Sequence, residues 1–364
     1  MKRVLISGGG TGGHIFPALS IAKEIEGRYP DVEFLFVGAS GRMEMEKIPV
    51  AGYEIKGLWI SGFKRKFSIA NIIFPVKLSL SLIKSFFILL RYKPQVVIGT
   101  GGFASGPVLL MASFMQIPTL IQEQNSYPGI TNRLLAYRAK TICVAYNGLE
   151  RFFPKEKICL TGNPIRAEIN NNLYKREIEI NRLGLNSEKP IVLVVGGSLG
   201  AKKLNEVILK NIHWFKKNEI QLIWQTGKLY YKRCEKSTNI LGTWGHIQPF
   251  IKKMGVMLSI ADIVISRAGA IALSEICCLG KTSILVPSPN VAEDHQTKNA
   301  FALTENSAAL MVHEKNIEKE LFVTLHSLIN NISLQKKISK NSKKMAYNCA
   351  AKYIVDQVEY LVDE

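Results

Sequence analysis

His14 closes the run VLISGGGTGGH at 4–14, in which an apolar strand runs into a loop packed with glycine. An imidazole, with an unperturbed pKa of about 6.5, can take a proton near neutral pH, so His14 is a candidate general base. The glycines around it suit close approach of backbone to a ligand: without Cβ they adopt positive φ and turn N–H groups toward an anion, and a helix start beyond adds partial positive charge. Gly8, Gly10 and Gly13 also satisfy the G-x-G-x-x-G spacing of nicotinamide and flavin sites. A bland alternative is a tight strand-to-helix turn, with His14 holding the loop. The same opening returns at 191–201, IVLVVGGSLGA, where Gly196, Gly197, Ser198 and Gly200 form a second candidate phosphate cradle. A third cluster, GTGGFASGP at 99–107, follows the apolar run Val96–Ile98. A dehydrogenase needs one dinucleotide loop; a cleft between two domains needs loops from both sides.

Positioning these loops calls for alternating strands and helices. Apolar runs at Phe34–Val37, Val96–Ile98, Thr119–Ile121, Ile142–Val144, Ile158–Leu160, Ile191–Val195, Leu222–Gln225, Asp262–Ser266 and Ser283–Val286 read as strands. Helical patterns at Ile15–Ile25 and Lys202–Ile212 follow the first and second glycine loops. The class is α/β with parallel sheets, in two Rossmann-like domains. At 364 residues the chain can bury two cores. Asn163–Pro164 marks the expected link, since the residue before proline is held extended. The expected domains are 1–163 and 164–340, followed by a helical segment over 341–364.

The formal charge of +18 points to an anionic partner. Zinc-ligand spacing, a helix-turn-helix pattern and an aromatic-basic stripe are all missing, so no nucleic acid and no metal are expected. The six cysteines form no C-x-x-C pair and read as reduced core residues. With strand residues beginning at Val4, no signal peptide is expected. The apolar segment Ile69–Leu90 is interrupted by Lys77 and Lys84, leaving too short an uncharged run to span a bilayer. Lys77, Ser81, Lys84 and Arg91 recur at helical spacing, with Lys64, Arg65 and Lys66 upstream and Lys93 downstream. This predicts an interfacial helix in which Phe74, Leu78 and Phe86 dip into lipid while Lys77 and Lys84 meet anionic head groups. The alternative is an ordinary crossover helix.

Six motifs in order, GGTGGHIFPALSIA (9–22), GTGGFASGP (99–107), EQN (123–125), GNPIR (162–166), GGSLGA (196–201) and SRAGAIALSE (266–275), resemble those of the MurG family. Members of that family are peripheral N-acetylglucosaminyltransferases of peptidoglycan synthesis. The resemblance, which runs from Lys2 to the final helix, implies a GT-B fold: two Rossmann-like domains whose parallel sheets face a cleft, with the last helix returning to the first domain. It implies UDP-N-acetylglucosamine as donor, undecaprenyl-linked lipid I as acceptor, inverting transfer to the C4 hydroxyl of N-acetylmuramic acid, and a place on the cytoplasmic face of the cell membrane. Contacts with cell-wall synthesis or division complexes follow as an expectation of the same kind. No cofactor or metal is required on this reading, because Arg166 and loop donors would meet the leaving diphosphate. Donor contacts fall to Thr11, Gly12, Gly13, Asn125, Arg166, Ser198, the backbone of Ile251, the helix start Ala270, Ile271, Ala272, Leu273 and Ser274, the ribose-binding Glu275, and Gln296. Acceptor contacts fall to Gly101, Gly102, Phe103, Ser105 and Gly106. The chain departs from the family at Gln122, where histidine is common, so no catalytic role passes to that position. Two rivals stay open: an epimerase of the same fold, which needs no lipid surface, and a nicotinamide oxidoreductase, which leaves the second loop unexplained.

Overall fold

A computed structural model describes residues 1–62, 72–166, 169 and 175–363. The chain divides into two compact units, Met1–Arg166 with Cys349–Glu364, and Ala167–Asn348. Each is built on one parallel sheet.

In the first unit the sheet has seven strands: β1 (Arg3–Gly8), β2 (Glu33–Ala39), β3 (Ile55–Leu58), β4 (Val96–Gly101), β5 (Thr119–Glu123), β6 (Thr141–Val144) and β7 (Ile158–Leu160), in the order β3-β2-β1-β4-β5-β6-β7. A parallel strand covered on both faces must be apolar on both, and the centre of β1 is: Val4, Leu5 and Ile6 are all buried, and the buried Ser7 hydroxyl is satisfied by Val37 O at 3.0 Å. Alternate residues go to opposite sides. Leu5, Val97, Ile121 and Ile142 join one core layer, while Val4, Ile6, Val96, Ile98 and Leu120 join the other. That second layer is closed by the helix Gly12–Arg28 and the final helix Ala350–Asp363, through Ile15, Ile21 and Ile25 against Ile354, Val355, Val358 and Leu361. Arg28 ties the pair at its rim, with Nη1 2.7 Å from Asp356 and 3.0 Å from Glu359.

The second unit has six strands: β8 (Ile191–Val195), β9 (Gln221–Gln225), β10 (Gly245–Gln248), β11 (Ile263–Ser266), β12 (Thr282–Leu285) and β13 (Leu310–Met311), in the order β10-β9-β8-β11-β12-β13. One core cluster centres on Trp224 and Phe215, with the Trp224 indole donating to Asn205 Oδ1 at 3.1 Å.

Every strand read from the sequence is present, and three were not foreseen. β3, β10 and β13 all lie at sheet edges, where partial exposure interrupts the apolar run that signals a central strand. The helix expected over Lys202–Ile212 breaks at Asn211 into Lys202–Lys210 and Ile212–Lys217. All six cysteines are free thiols, and burial raises Cys277 and Cys234 each to about 11.

Candidate active site: two glycine loops and their supports

The first loop leaves the C-terminal end of β1 beside the end of β4. Its glycines make room for side chains of the protein itself. A Cβ on Gly8 would strike Thr100 Oγ1, and one on Gly9 would strike the Glu44 carboxylate. Gly10, at φ 84°, holds a left-handed turn that favours glycine. Glu44 is fully buried: one oxygen accepts from Ala39 N–H at 2.9 Å and the other from Gly10 N–H at 2.8 Å. His14 Nδ1 lies 2.7 Å from the Gly9 carbonyl oxygen and 3.5 Å from Thr11 Oγ1. A carbonyl only accepts, so Nδ1 carries the proton and Nε2 is the basic ring nitrogen. Thr100 Oγ1 donates to the His14 carbonyl at 2.9 Å, anchoring the residue to β4.

The loop after β4 is pressed against the first one. Gly9 N–H donates to Gly101 O at 3.2 Å. Gly101 and Gly102 take φ of 96° and 87°, and a Cβ on Gly101 would sit 2.9 Å from the His14 ring. Phe103 is about half exposed. Ser105 is buried, with its hydroxyl donated to Gly102 O at 2.8 Å, and it holds the turn. Gly106 packs near Thr131 at the start of the helix Ser105–Phe114. After β5, buried Glu123 accepts from Asn125 N–H at 2.9 Å, Asn125 Nδ2 at 3.1 Å, Gly129 N–H at 3.1 Å and Asn132 Nδ2 at 2.8 Å. The EQN loop is thus organised by its own glutamate. Gln122, in the place of a family histidine, is buried and donates to Asn163 Oδ1 at 3.1 Å. Arg166 stacks 4.8 Å from the Phe16 ring, on the face where Gly12 and the half-buried Gly13 begin the first helix. Thr11 is exposed beside them.

In the second unit the glycines make room for backbone. A Cβ on Gly196 would come 2.7 Å from Ala201 N, and one on Gly200, at φ 84°, would strike Thr226 O. Gly200 N–H donates to Gly197 O at 3.2 Å and Gly196 N–H to Gln225 O at 3.5 Å. These two amides are engaged within the protein; Gly197, the half-buried Ser198 with its hydroxyl, and the exposed Leu199 supply the loop's other donors. Gln225, unmarked by any sequence motif, joins two loops: Nε2 donates to Gly197 O at 2.9 Å, and Oε1 accepts from Ile251 N–H at 2.8 Å. The Ile251 N–H is thus engaged within the protein, through the same glutamine that holds Gly197. In the helix Ala270–Cys278, Leu273 N–H closes onto Gly269 O at 3.0 Å and Ser274 Oγ onto Ala270 O at 3.0 Å. The donor set at this helix start narrows to the N–H groups of Ala270, Ile271 and Ala272. Glu275 is 4% exposed, unlike an ordinary surface glutamate. Gln296 accepts from Ser288 N–H at 2.9 Å, which shapes the 288–296 turn.

The apolar segment forms the helix Phe74–Tyr92, with Lys64, Arg65, Lys66 and residues 69–71 outside the described residues. Its buried face is Ser81, Ser85, Ile88 and Leu89. Two serines permit close packing, their hydroxyls donating to Trp59 O at 3.4 Å and Ser81 O at 2.7 Å. Lys77 donates to Ser61 Oγ at 3.2 Å and lies 5.3 Å from the Trp59 ring, while Lys84 donates to Gly57 O at 2.7 Å. Leu78 packs against the core. Leu78 is thus corrected from lipid to core, whereas Lys84 is exposed and Lys77 half-buried. The outward ridge is Ile72, Val76, Leu80, Ile83, Phe87 and Leu90, with Phe86 at its margin and Phe74 half-buried. Among the described residues no helix is long and apolar enough to cross a membrane.

Two family models match the chain, the glycosyltransferase family 28 N-terminal domain over residues 4–144 and the family 28 C-terminal domain over 191–354. A relative from Flavobacterium psychrophilum is 50% identical over 99% of this chain and 98% of its own length. One from Parabacteroides distasonis is 48% identical over 100% and 99%. Both are named UDP-N-acetylglucosamine–N-acetylmuramyl-(pentapeptide) pyrophosphoryl-undecaprenol N-acetylglucosamine transferase. Among solved structures, MurG of Acinetobacter baumannii superposes with a TM-score of 0.77 at 27% identity, over 99% of this chain and 100% of that one. A UDP-N-acetylglucosamine 2-epimerase of Neisseria meningitidis, at TM-score 0.67 and 16% identity over 99% of this chain and 100% of its own, shares the fold alone. Two parallel-sheet units, a glycine loop at the first strand of each, and family models that match within both make this chain a member of glycosyltransferase family 28.

Proposed function

We propose that this chain transfers N-acetylglucosamine from UDP-N-acetylglucosamine to the C4 hydroxyl of N-acetylmuramic acid in undecaprenyl-linked lipid I, giving lipid II. Beyond the full-length similarity, one observation carries the reading. Both glycine loops open from the C-terminal ends of central parallel strands, β1 and β8, where such sheets bind ligands, and only the first carries a histidine oriented as a base. His14 Nε2 takes the C4 hydroxyl proton as the new C–O bond forms on the face opposite the departing group. The bond from the anomeric carbon to the diphosphate oxygen breaks, UDP leaves with the electron pair, and the configuration inverts. Gly197, Ser198 and the Ala270–Ala272 amides stabilise charge on the diphosphate. Glu275 accepts from the ribose hydroxyls, and the Ile251 carbonyl meets the uracil. Thr11, Gly12, Gly13, Asn125, Arg166 and Gln296 complete the donor contacts, and Gly101, Gly102, Phe103 and Gly106 contact the acceptor. The diphosphate is balanced by fixed donors and Arg166 rather than by a metal.

The acceptor's polyprenyl chain places the reaction at a membrane. The apolar ridge of the helix Phe74–Tyr92 and the charge of +18 support peripheral contact with an anionic surface, on the cytoplasmic side where the nucleotide sugar is found. Transfer of radiolabel from UDP-N-acetylglucosamine to lipid I, run with and without EDTA, tests this. A labelled disaccharide lipid formed equally in both is expected. Epimerised nucleotide sugar without lipid product overturns the transfer, and loss in EDTA restored by magnesium overturns the metal-free route.

A further inference from the structure

Glu44 lies in the short helix Glu44–Val50, 34 residues from the loop it touches, in no glycine motif. Its carboxylate is fully buried, a costly state unless both oxygens are satisfied, and backbone N–H groups satisfy both. The Gly10 N–H that it accepts belongs to the same peptide unit as the Gly9 carbonyl that receives His14 Nδ1–H. No cis peptide occurs among the described residues, so this C=O and N–H point in opposite directions. The order of contacts is therefore Glu44 carboxylate, peptide N–H, peptide C=O, imidazole Nδ1–H, with heavy-atom separations of 2.8 and 2.7 Å at the two ends. An anion on the N–H side fixes the plane of a loop whose glycines would otherwise let it rotate, and polarises the carbonyl toward a better acceptor. Gly9 and Gly38 are required to be glycine here, since a Cβ on either would strike the Glu44 side chain.

We propose that Glu44 is a positioning residue for His14, holding its Nδ1–H tautomer through the Gly9–Gly10 peptide. The inference rests on the reading of His14 as general base only for its effect on rate; the tautomer is independent of that reading. The Gly10 N–H is thereby taken by the protein's own carboxylate and not offered to a ligand.

The test uses the full-length protein labelled with ¹⁵N-histidine, with His14 resonances assigned by their loss in His14→Gln. Neutral His14 in the wild type is expected as the Nδ1–H form. In Glu44→Gln, one of the two accepting oxygens becomes an NH2 donor that cannot accept from Ala39 or Gly10, so mixed tautomers are expected together with a kcat lower by about 10- to 100-fold and a donor KM within about twofold. Glu44→Asp keeps the charge and should recover part of the kcat. An Nε2–H tautomer in the wild type overturns the proposal, as does a folded Glu44→Gln with the wild-type tautomer and rate. Should Glu44→Gln lack native circular dichroism, the wild-type tautomer and the Glu44→Asp rate decide. If His14→Ala keeps its kcat while Glu44→Gln still shifts the tautomer, the general-base reading fails and the positioning inference stands.

Discussion

The two glycine loops look alike in sequence and are built differently. Around Gly8–Gly13 the missing Cβ atoms admit a threonine hydroxyl and a buried carboxylate, and the product is an oriented imidazole. Around Gly196–Gly200 they admit backbone from Ala201 and Thr226 and the ring of Tyr230, and among the described residues no acidic side chain is seen accepting from the loop; Lys202 and Lys203 follow after Ala201. One loop has a buried carboxylate beneath it and carries an imidazole tied to its own backbone. The other is stabilised by backbone and presents amides, the better arrangement for a diphosphate. A glycine-rich strand-to-helix turn thus signals close approach without saying whether a ligand or the protein itself does the approaching.

Kinetics should separate the loops most sharply at His14. His14→Ala is expected to lower kcat by roughly 10²–10⁴-fold with donor KM little changed; a variant with near-normal kcat breaks the assignment of base chemistry to the first loop. On the other side, Glu275→Ala should act mainly on donor KM, since losing hydrogen bonds to a charged acceptor costs about 1.5–3 kcal/mol. Calorimetry with UDP checks this, and unchanged affinity would remove the ribose contact. A matched pair then tests the loops themselves. Gly9→Ala forces a Cβ into Glu44 and should fall on kcat, while Gly200→Ala strains a left-handed turn and should fall on donor KM, each with about 1–3 kcal/mol of destabilisation in thermal melts. If both variants shift the same constant, the loops are not divided as described. The smallest effect is expected at the membrane ridge. Ile83→Asp should weaken cosedimentation with anionic vesicles by about tenfold, since burying one such side chain contributes about 1.5–3 kcal/mol. It should spare transfer to a short-chain, water-soluble acceptor, and undiminished vesicle binding would leave the ridge without its proposed use.

Much of the fold was legible because central parallel strands carry continuous apolar runs. Ile191–Val195, matched residue for residue, is the clearest case. Edge strands such as Gly245–Gln248 lack that run and went unread. The loop residues of the site were legible from their glycines, but their supports were not. Glu123 lay inside a motif without showing that it organises Asn125, and Gln225 and Glu44 lay in no motif at all. The helix Phe74–Tyr92 was legible as a helix, while its packed face was not: Ser81, read as part of a cationic stripe, is buried with Ser85, Ile88 and Leu89, and only Lys84 and Arg91 of that stripe are exposed.

By itself the sequence determined the α/β class, the central strands, the positions of three glycine clusters, and which histidine sits in one. Those are local properties, set by side-chain period and by the absence of Cβ. Only the tertiary structure decided which amides of each loop are already taken, which face of the apolar helix meets the core, and that a carboxylate far along the chain stands behind His14. Parallel strands are joined by long crossovers, so the residues meeting at the C-terminal ends of a sheet come from distant segments. Their pairing follows from strand order and register, which no local pattern encodes.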